Sequence, residues 1–442
     1  MRLVSTTITP KLKLGFILFL GCLTASAQEN SPFSRYGIGN IFPGQHVVNR
    51  GIGGVSAAYR DALGQSVNFY NPASYSSISL VTYDIGIGID NKVLRSAEPL
   101  KKFSSTNFSP SYVVLGMPLS KKRGMGLVFG LRPISKINYS VVVNTRIPGI
   151  DSVGNLYEGE GGLNLGFVGI AKRWGGLSIG VNGGFLFGRK ETDTRVILLN
   201  DSVSYNYANS AVVTSFNNLS LTGGLQYQFK TGTNSLVRLG LTGKMKEKLN
   251  ARQDIVKETF YYDANGTVTR LDSALQITDR KGTIKLPGTY TSGIAFETRT
   301  KEDLSRTLIS AEYESTKWSE YRFYDQADRL VDNWQFRFGA QLSPDYFKAQ
   351  SFWSRVTYRT GFFYGKDYIN ADNNELKVYG VTLGAGFPVM KRNNYSNQYS
   401  NIHTAFEFGR RGSKVNNITE SFFRFSVGFS LSDKWFIPRK YD

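Results

Sequence analysis

The chain has 442 residues, with 53 Lys+Arg against 34 Asp+Glu, a formal charge of +19, 14% aromatic residues and one cysteine. So many rings exclude a disordered chain, and a single cysteine excludes a disulfide scaffold or a structural zinc domain. Past the N-terminus, no apolar run reaches the roughly 18 residues that a membrane-spanning helix needs.

Residues 1–27 read as a secretory signal peptide. Arg2, Lys11 and Lys13 form the basic region, Leu14 to Leu23 the apolar core, and Ala25-Ser26-Ala27 the cleavage site. Cleavage removes Cys22 with those three cations and leaves Gln28 first. Residues 28–79 carry no strand period and are rich in Gly, Ser and Asn. Small residues permit tight packing of irregular backbone. At membrane depth such backbone is tolerated only inside protein or beside water. This stretch is therefore expected to be a hatch within a barrel. Gly51, Gly53 and Gly54 are no phosphate loop, because the Gly-Lys-Ser/Thr ending is missing.

From residue 80 to 442 the dominant signal is period-2 alternation. In the last strand Phe423, Phe425, Val427, Phe429 and Leu431 share one face, and Arg424, Ser426, Gly428 and Ser430 the other. Trp334, Phe336 and Phe338 alternate with Gln335, Arg337 and Gly339. Fourteen such segments are expected, most of them about ten residues or longer, where about 9–11 cross a bilayer when tilted. Soluble strands usually run about 5–6 residues. Connections after even-numbered strands are mostly tight, and those after odd-numbered strands mostly long, near 91–109, 134–160, 191–212, 248–284 and 318–332. That asymmetry belongs to an outer-membrane barrel. The expected fold is all-β: a transmembrane antiparallel β-barrel of fourteen strands, apolar face in lipid, in the outer membrane of a Gram-negative bacterium.

Five Trp fall near strand ends: Trp174, Trp353 and Trp435 at one end, Trp318 and Trp334 at the other. They are expected to form membrane girdles, since indole rings favour the headgroup level. The polar face supplies a lumen row that includes Arg132, Arg238, Arg337, Arg355, Arg359, His403, Glu407 and Arg424. Paired with one another and with the hatch, these would hold a filled lumen. Left free, an Arg would grip the acidic head of an amphiphile. His403 lies four residues from Glu407, but no Gly-x-Ser-x-Gly accompanies it, so no catalytic site is expected. No metal-ligand or cofactor motif is visible. The expected surroundings are outer-membrane lipid and lipopolysaccharide. Export and scattered basic residues set nucleic acid aside.

The stretch Arg50-Gly51-Ile52-Gly53-Gly54-Val55-Ser56-Ala57-Ala58, then Asp61-Ala62 and Asn68-Phe69-Tyr70-Asn71-Pro72-Ala73, resembles the hatch signature of the FadL-type outer-membrane transporters of hydrophobic compounds. Leu286-Pro287-Gly288 is similar to the start of a mid-barrel strand in that family. The resemblance implies fourteen strands, an N-terminal hatch containing Asn71, Pro72 and Ala73, and passive uptake of fatty acids or aromatics. Read from the residues, Asn71-Pro72 is a capped turn. The resemblance also admits a second reading. PorV-type barrels share the fold but dock envelope or secretion proteins instead of transporting.

Overall fold

A computed structural model describes residues 31–433 except 62–65, 98–99, 149–150, 200–205, 264, 266, 301–304, 345–350, 371–373, 390–398 and 414–415. The expected signal peptide of residues 1–27 with Cys22, and Trp435 with the tail beyond it, lie outside the described residues.

Fourteen antiparallel strands close one barrel. They are β1 (Val81–Ser96), β2 (Lys101–Ser120), β3 (Met125–Ile147), β4 (Asp151–Trp174), β5 (Leu177–Leu198), β6 (Tyr207–Lys230), β7 (Ser235–Lys244 and Glu247–Tyr262) and β8 (Val268–Leu286 and Thr289–Arg299). The rest are β9 (Arg306–Thr316), β10 (Asn333–Ser343), β11 (Thr357–Lys366), β12 (Lys377–Pro388), β13 (Tyr399–Arg411) and β14 (Ile418–Asp433). Each pairs with its sequence neighbour, and β14 closes on β1 with Phe425 opposite Ile89. β8 breaks at Pro287-Gly288, where proline cannot donate to a ladder.

The alternation sorts the two faces as the sequence requires. Phe338 is 51% exposed on the outer surface, whereas its neighbour Arg337 is 5% exposed within. Phe406 and Phe408 look out, and Glu407 between them is buried. A closed ladder gives the strand edges partners around the barrel wall, except where β2 and β3 part, and such pairing is what hydrocarbon demands. Four connections at one end are short, between β2 and β3, β4 and β5, β6 and β7, and β8 and β9. The barrel's first strand begins, and its last ends, at this short-turn end.

The opposite end differs from the sequence reading. Most of 91–109, 134–160, 191–212 and 248–284 is strand, not loop: β1 to β8 continue as tall hairpins. Toward the tips, as in 140–146 and 268–278, most residues are exposed and nothing enforces alternation, whereas Ile137, Leu249, Phe260 and Ile284 nearer the barrel stay buried. The ladder also parts in one place. β2 and β3 pair only between Val113–Ser120 and Met125–Leu131, with a β-bulge at Pro133/Ser135 just beyond. The freed edge of β3 takes a two-residue strand, Asn40–Ile41, with Asn40 opposite Lys136.

The described part of 31–79 holds a short helix α1 (Val47–Gly51) and 3-10 turns Pro32–Arg35 and Pro72–Ser77. Each proline sits in a first turn, where its missing N–H costs nothing. His46 caps α1: its Nδ1 accepts from the Val48 N–H at 3.0 Å, leaving Nε2–H to donate to Asp84 Oδ2 at 2.7 Å. α1 touches β11 to β14, and the Pro72–Ser77 turn touches β2 to β6. The segment thus joins opposite walls from within.

Candidate functional site in the barrel lumen

The bonds between 31–79 and the wall include charged and charge-assisted ones. Arg50 Nε donates to Glu407 Oε1 at 2.5 Å. Glu312 Oε2 accepts from the backbone N–H groups of Ser56 and Ala57 at 2.7 and 2.6 Å. The other Glu312 oxygen takes Arg337 Nη1 at 2.8 Å, and Arg337 grips Glu314 through both terminal nitrogens at 3.0 Å. Tyr70 donates its hydroxyl to Glu314. Such fork-on-carboxylate pairs hold geometry as well as charge. Asn71 accepts from the Ala73 N–H at 3.0 Å, and its Nδ2 donates to the carbonyls of Ala57, Leu225 and Leu241 at 2.6, 3.3 and 3.3 Å. Burial pushes the Tyr59 and Tyr75 hydroxyls well above their ordinary pKa, so both stay neutral donors, to Gln341 and Asn182.

Glycine is required where segment and wall touch most closely. Gly53 has φ +74°, and a Cβ there would strike the Phe338 carbonyl. Its N–H donates to Thr382 Oγ1 at 2.8 Å. On the wall, a Cβ at Gly361 would strike the Gly53 nitrogen.

Above this floor lies a cavity of about 360 Å³. Phe42, Leu165, Phe167, Trp318 and Phe363 give it apolar surface, and Arg132, Lys136 and Lys244 give it cations. Most cations around it are matched. Arg424 faces Asp90 and Glu407 at 3.4 and 3.5 Å, Arg411 meets Asp367 at 2.7 Å, and Lys244 meets Glu247 at 3.0 Å. Arg132 is not. It donates to the Gly44 carbonyl at 3.2 Å and lies over the Phe69 ring at 5.7 Å, and no described carboxylate pairs with it.

The sequence-derived residues land as follows. Gly51, Gly53, Gly54, Asn71, Pro72 and Ala73 are all buried against the wall. Arg238 donates to the Ala58 carbonyl and to Glu297, each at 3.3 Å. Arg359 Nε donates to Gln341 at 2.8 Å. Arg355 shares the inward parity but lies in a 3-10 turn, Trp353–Arg355, because the strand starts only at Thr357. His403 does not pair with Glu407, whose oxygens are taken by Arg50 and Arg424. Neither ring nitrogen of His403 has a partner among the described residues, and His46 stands 6.0 Å away, centroid to centroid. Trp174 and Trp353 are exposed at the short-turn end, and Trp334 is half-buried at the other. Trp318 departs from the girdle. It is 7% exposed, folded inward by its own 3-10 turn, and packs on Tyr368 at 5.0 Å. Sequence reading passed over Thr382 and Arg60. Arg60 donates to Gln226, Gln228 and Ser178, all neutral. Burial, then the Arg238 and Arg173 charges, lower its pKa. A lone cation in a Gly/Ala-rich stretch was the available signal.

The BamG family profile matches residues 11–442. The chain belongs to the BamG family. No curated protein matches it in sequence. Among solved structures it is similar to the Pseudomonas putida toluene transporter TodX, with TM-score 0.53 and 15% identity over 90% of this chain and 99% of that one. It is also similar to the CymD monoaromatic hydrocarbon channel, with TM-score 0.51 and 14% identity over 90% and 99%. A Pseudomonas aeruginosa FadL homologue matches with TM-score 0.51 and 10% identity over 90% and 100%. The BamG-family chain therefore shares the fold of FadL-type barrels.

Proposed function

We propose that this BamG-family barrel sits in the bacterial outer membrane, short-turn end to the periplasm, and passively takes up hydrophobic or amphipathic small molecules of fatty-acid or aromatic type. The observation that carries this reading is Arg132, a cation without a carboxylate on the wall of a cavity that also offers aromatic and aliphatic surface. An acidic head would meet Arg132 while its tail lay on Phe167 and Leu165. The parting of β2 from β3 occurs one residue below Arg132, so a lateral path out of the cavity would open there. In this reading residues 28–79 are the hatch, and its floor must shift before anything reaches the short-turn end. The hydrocarbon and toluene channels of the same fold lend support at the level of architecture alone.

The test is tracer flux into liposomes, comparing the mature chain with one lacking residues 28–45. Decanoate or toluene flux that rises on deletion is the expected result. Flux at the level of empty liposomes for both chains rejects uptake. A second reading is favoured by the density of bonds under the cavity: a sealed barrel that docks envelope or secretion proteins. It predicts zero flux in both chains.

A further inference from the structure

A second cavity, of about 330 Å³, opens at the short-turn end beneath the Pro72–Ser77 turn. Its charged lining is Arg60, Lys121, Arg173, Arg238 and Arg306 against Asp61 and Glu297. Five cations face two carboxylates, an excess of three positive charges. Glu297 faces Arg238 at 3.3 Å and Arg306 at 3.8 Å. Asp61 Oδ2 accepts from the Ser66 N–H and hydroxyl at 2.8 and 2.9 Å. Arg60, Lys121 and Arg173 are left, and none forms an ion pair with a described carboxylate. Arg60 is the most constrained of them. It is more than nine-tenths buried, and every bond it makes ends on a neutral oxygen. Neutral acceptors satisfy its hydrogens without cancelling its charge.

We infer that this cavity binds a phosphate group, held by Arg60, Lys121 and Arg173. Three unmatched cations around one space call for a compact anion with more than one charge and several acceptor oxygens. Phosphate supplies both, and guanidinium binds it bidentately. A carboxylate or chloride would leave most of the charge uncancelled. The group could belong to free phosphate or to a phosphorylated lipid headgroup, since Lys121 sits in the β2–β3 turn and Arg173 near the end of β4, both at the barrel rim. The site is independent of the uptake reading, because it lies on the other side of the floor.

The experiment is calorimetric titration of the mature full-length protein in maltoside detergent with inorganic phosphate, at constant ionic strength maintained with chloride. One saturable site is expected. Lys121→Gln and Arg173→Gln, both at least partly exposed, should each weaken it about tenfold, the size of one charge-assisted hydrogen bond. Arg60→Gln should do the same, but its buried setting puts folding at risk, so the two rim variants decide. Dihexanoyl phosphatidic acid binding at least tenfold tighter than phosphate assigns the site to a lipid headgroup, and equal or weaker binding assigns it to free phosphate. No saturable heat from the unsubstituted protein, or equal affinity in the Lys121→Gln/Arg173→Gln double variant, overturns the proposal.

Discussion

The lumen has two halves built from the same strands to different rules. In the short-turn half, wall and segment 31–79 are bonded residue to residue: Arg50 to Glu407, Ser56 and Ala57 to Glu312, Asn71 to the Leu225 and Leu241 carbonyls. In the other half the wall's charges mostly pair with each other around open space, and Arg132 stands apart from every described carboxylate. A buried network matched on every side is rigid, and removing one member leaves charges stranded. A cavity wall with a spare cation can lose that cation without stranding anything. Stability should therefore reside in the lower half and ligand affinity in the upper.

That division can be broken from either side. Arg337→Met strands Glu312 and Glu314 in the floor and should cost about 3–5 kcal/mol, read as the shift in urea unfolding followed by Trp fluorescence in detergent. Gly53→Ala forces a Cβ onto a left-handed backbone against the Phe338 carbonyl and should cost about 2–3 kcal/mol by the same measurement. Asn71→Ala removes a cap and frees buried carbonyls, for a loss of about 1–2 kcal/mol. Arg132→Gln should change unfolding by less than about 1 kcal/mol while weakening decanoate binding about tenfold, measured by displacement of a fluorescent fatty acid. Equal stability losses from Arg337→Met and Arg132→Gln would erase the distinction between the halves.

How much of this was legible in the sequence depends on what the solvent enforces. Each of the fourteen strands could be found where lipid meets one face and water the other, as in Phe336-Arg337-Phe338. The tall extensions were read as loops because Asn138 to Arg146 or Val268 to Thr278 has no lipid to enforce a period. The motif around Gly51–Gly54 was visible. Its reason, the fit of Gly53 against Phe338 and Gly361, was not, since a close approach depends on strands some 300 residues away. For the same reason the lumen cations could be enumerated but not matched. Arg50 and Glu407 are separated by 357 positions, and Ser56 and Glu312 by 256. Trp318 was assigned to a girdle by its place at a strand end, and a three-residue turn reversed its direction.

The central claim is that the apolar face meets acyl chains while the polar face encloses the lumen. The sequence has one cysteine, Cys22, so in a Cys22→Ser background Leu241→Cys and Thr242→Cys can each carry a single spin label in liposomes. Leu241 is outward on β7, and its neighbour Thr242 lines the cavity. The account predicts that relaxation by oxygen dominates at 241 and by a water-soluble nickel complex at 242. The opposite order would mean that the barrel is inside out.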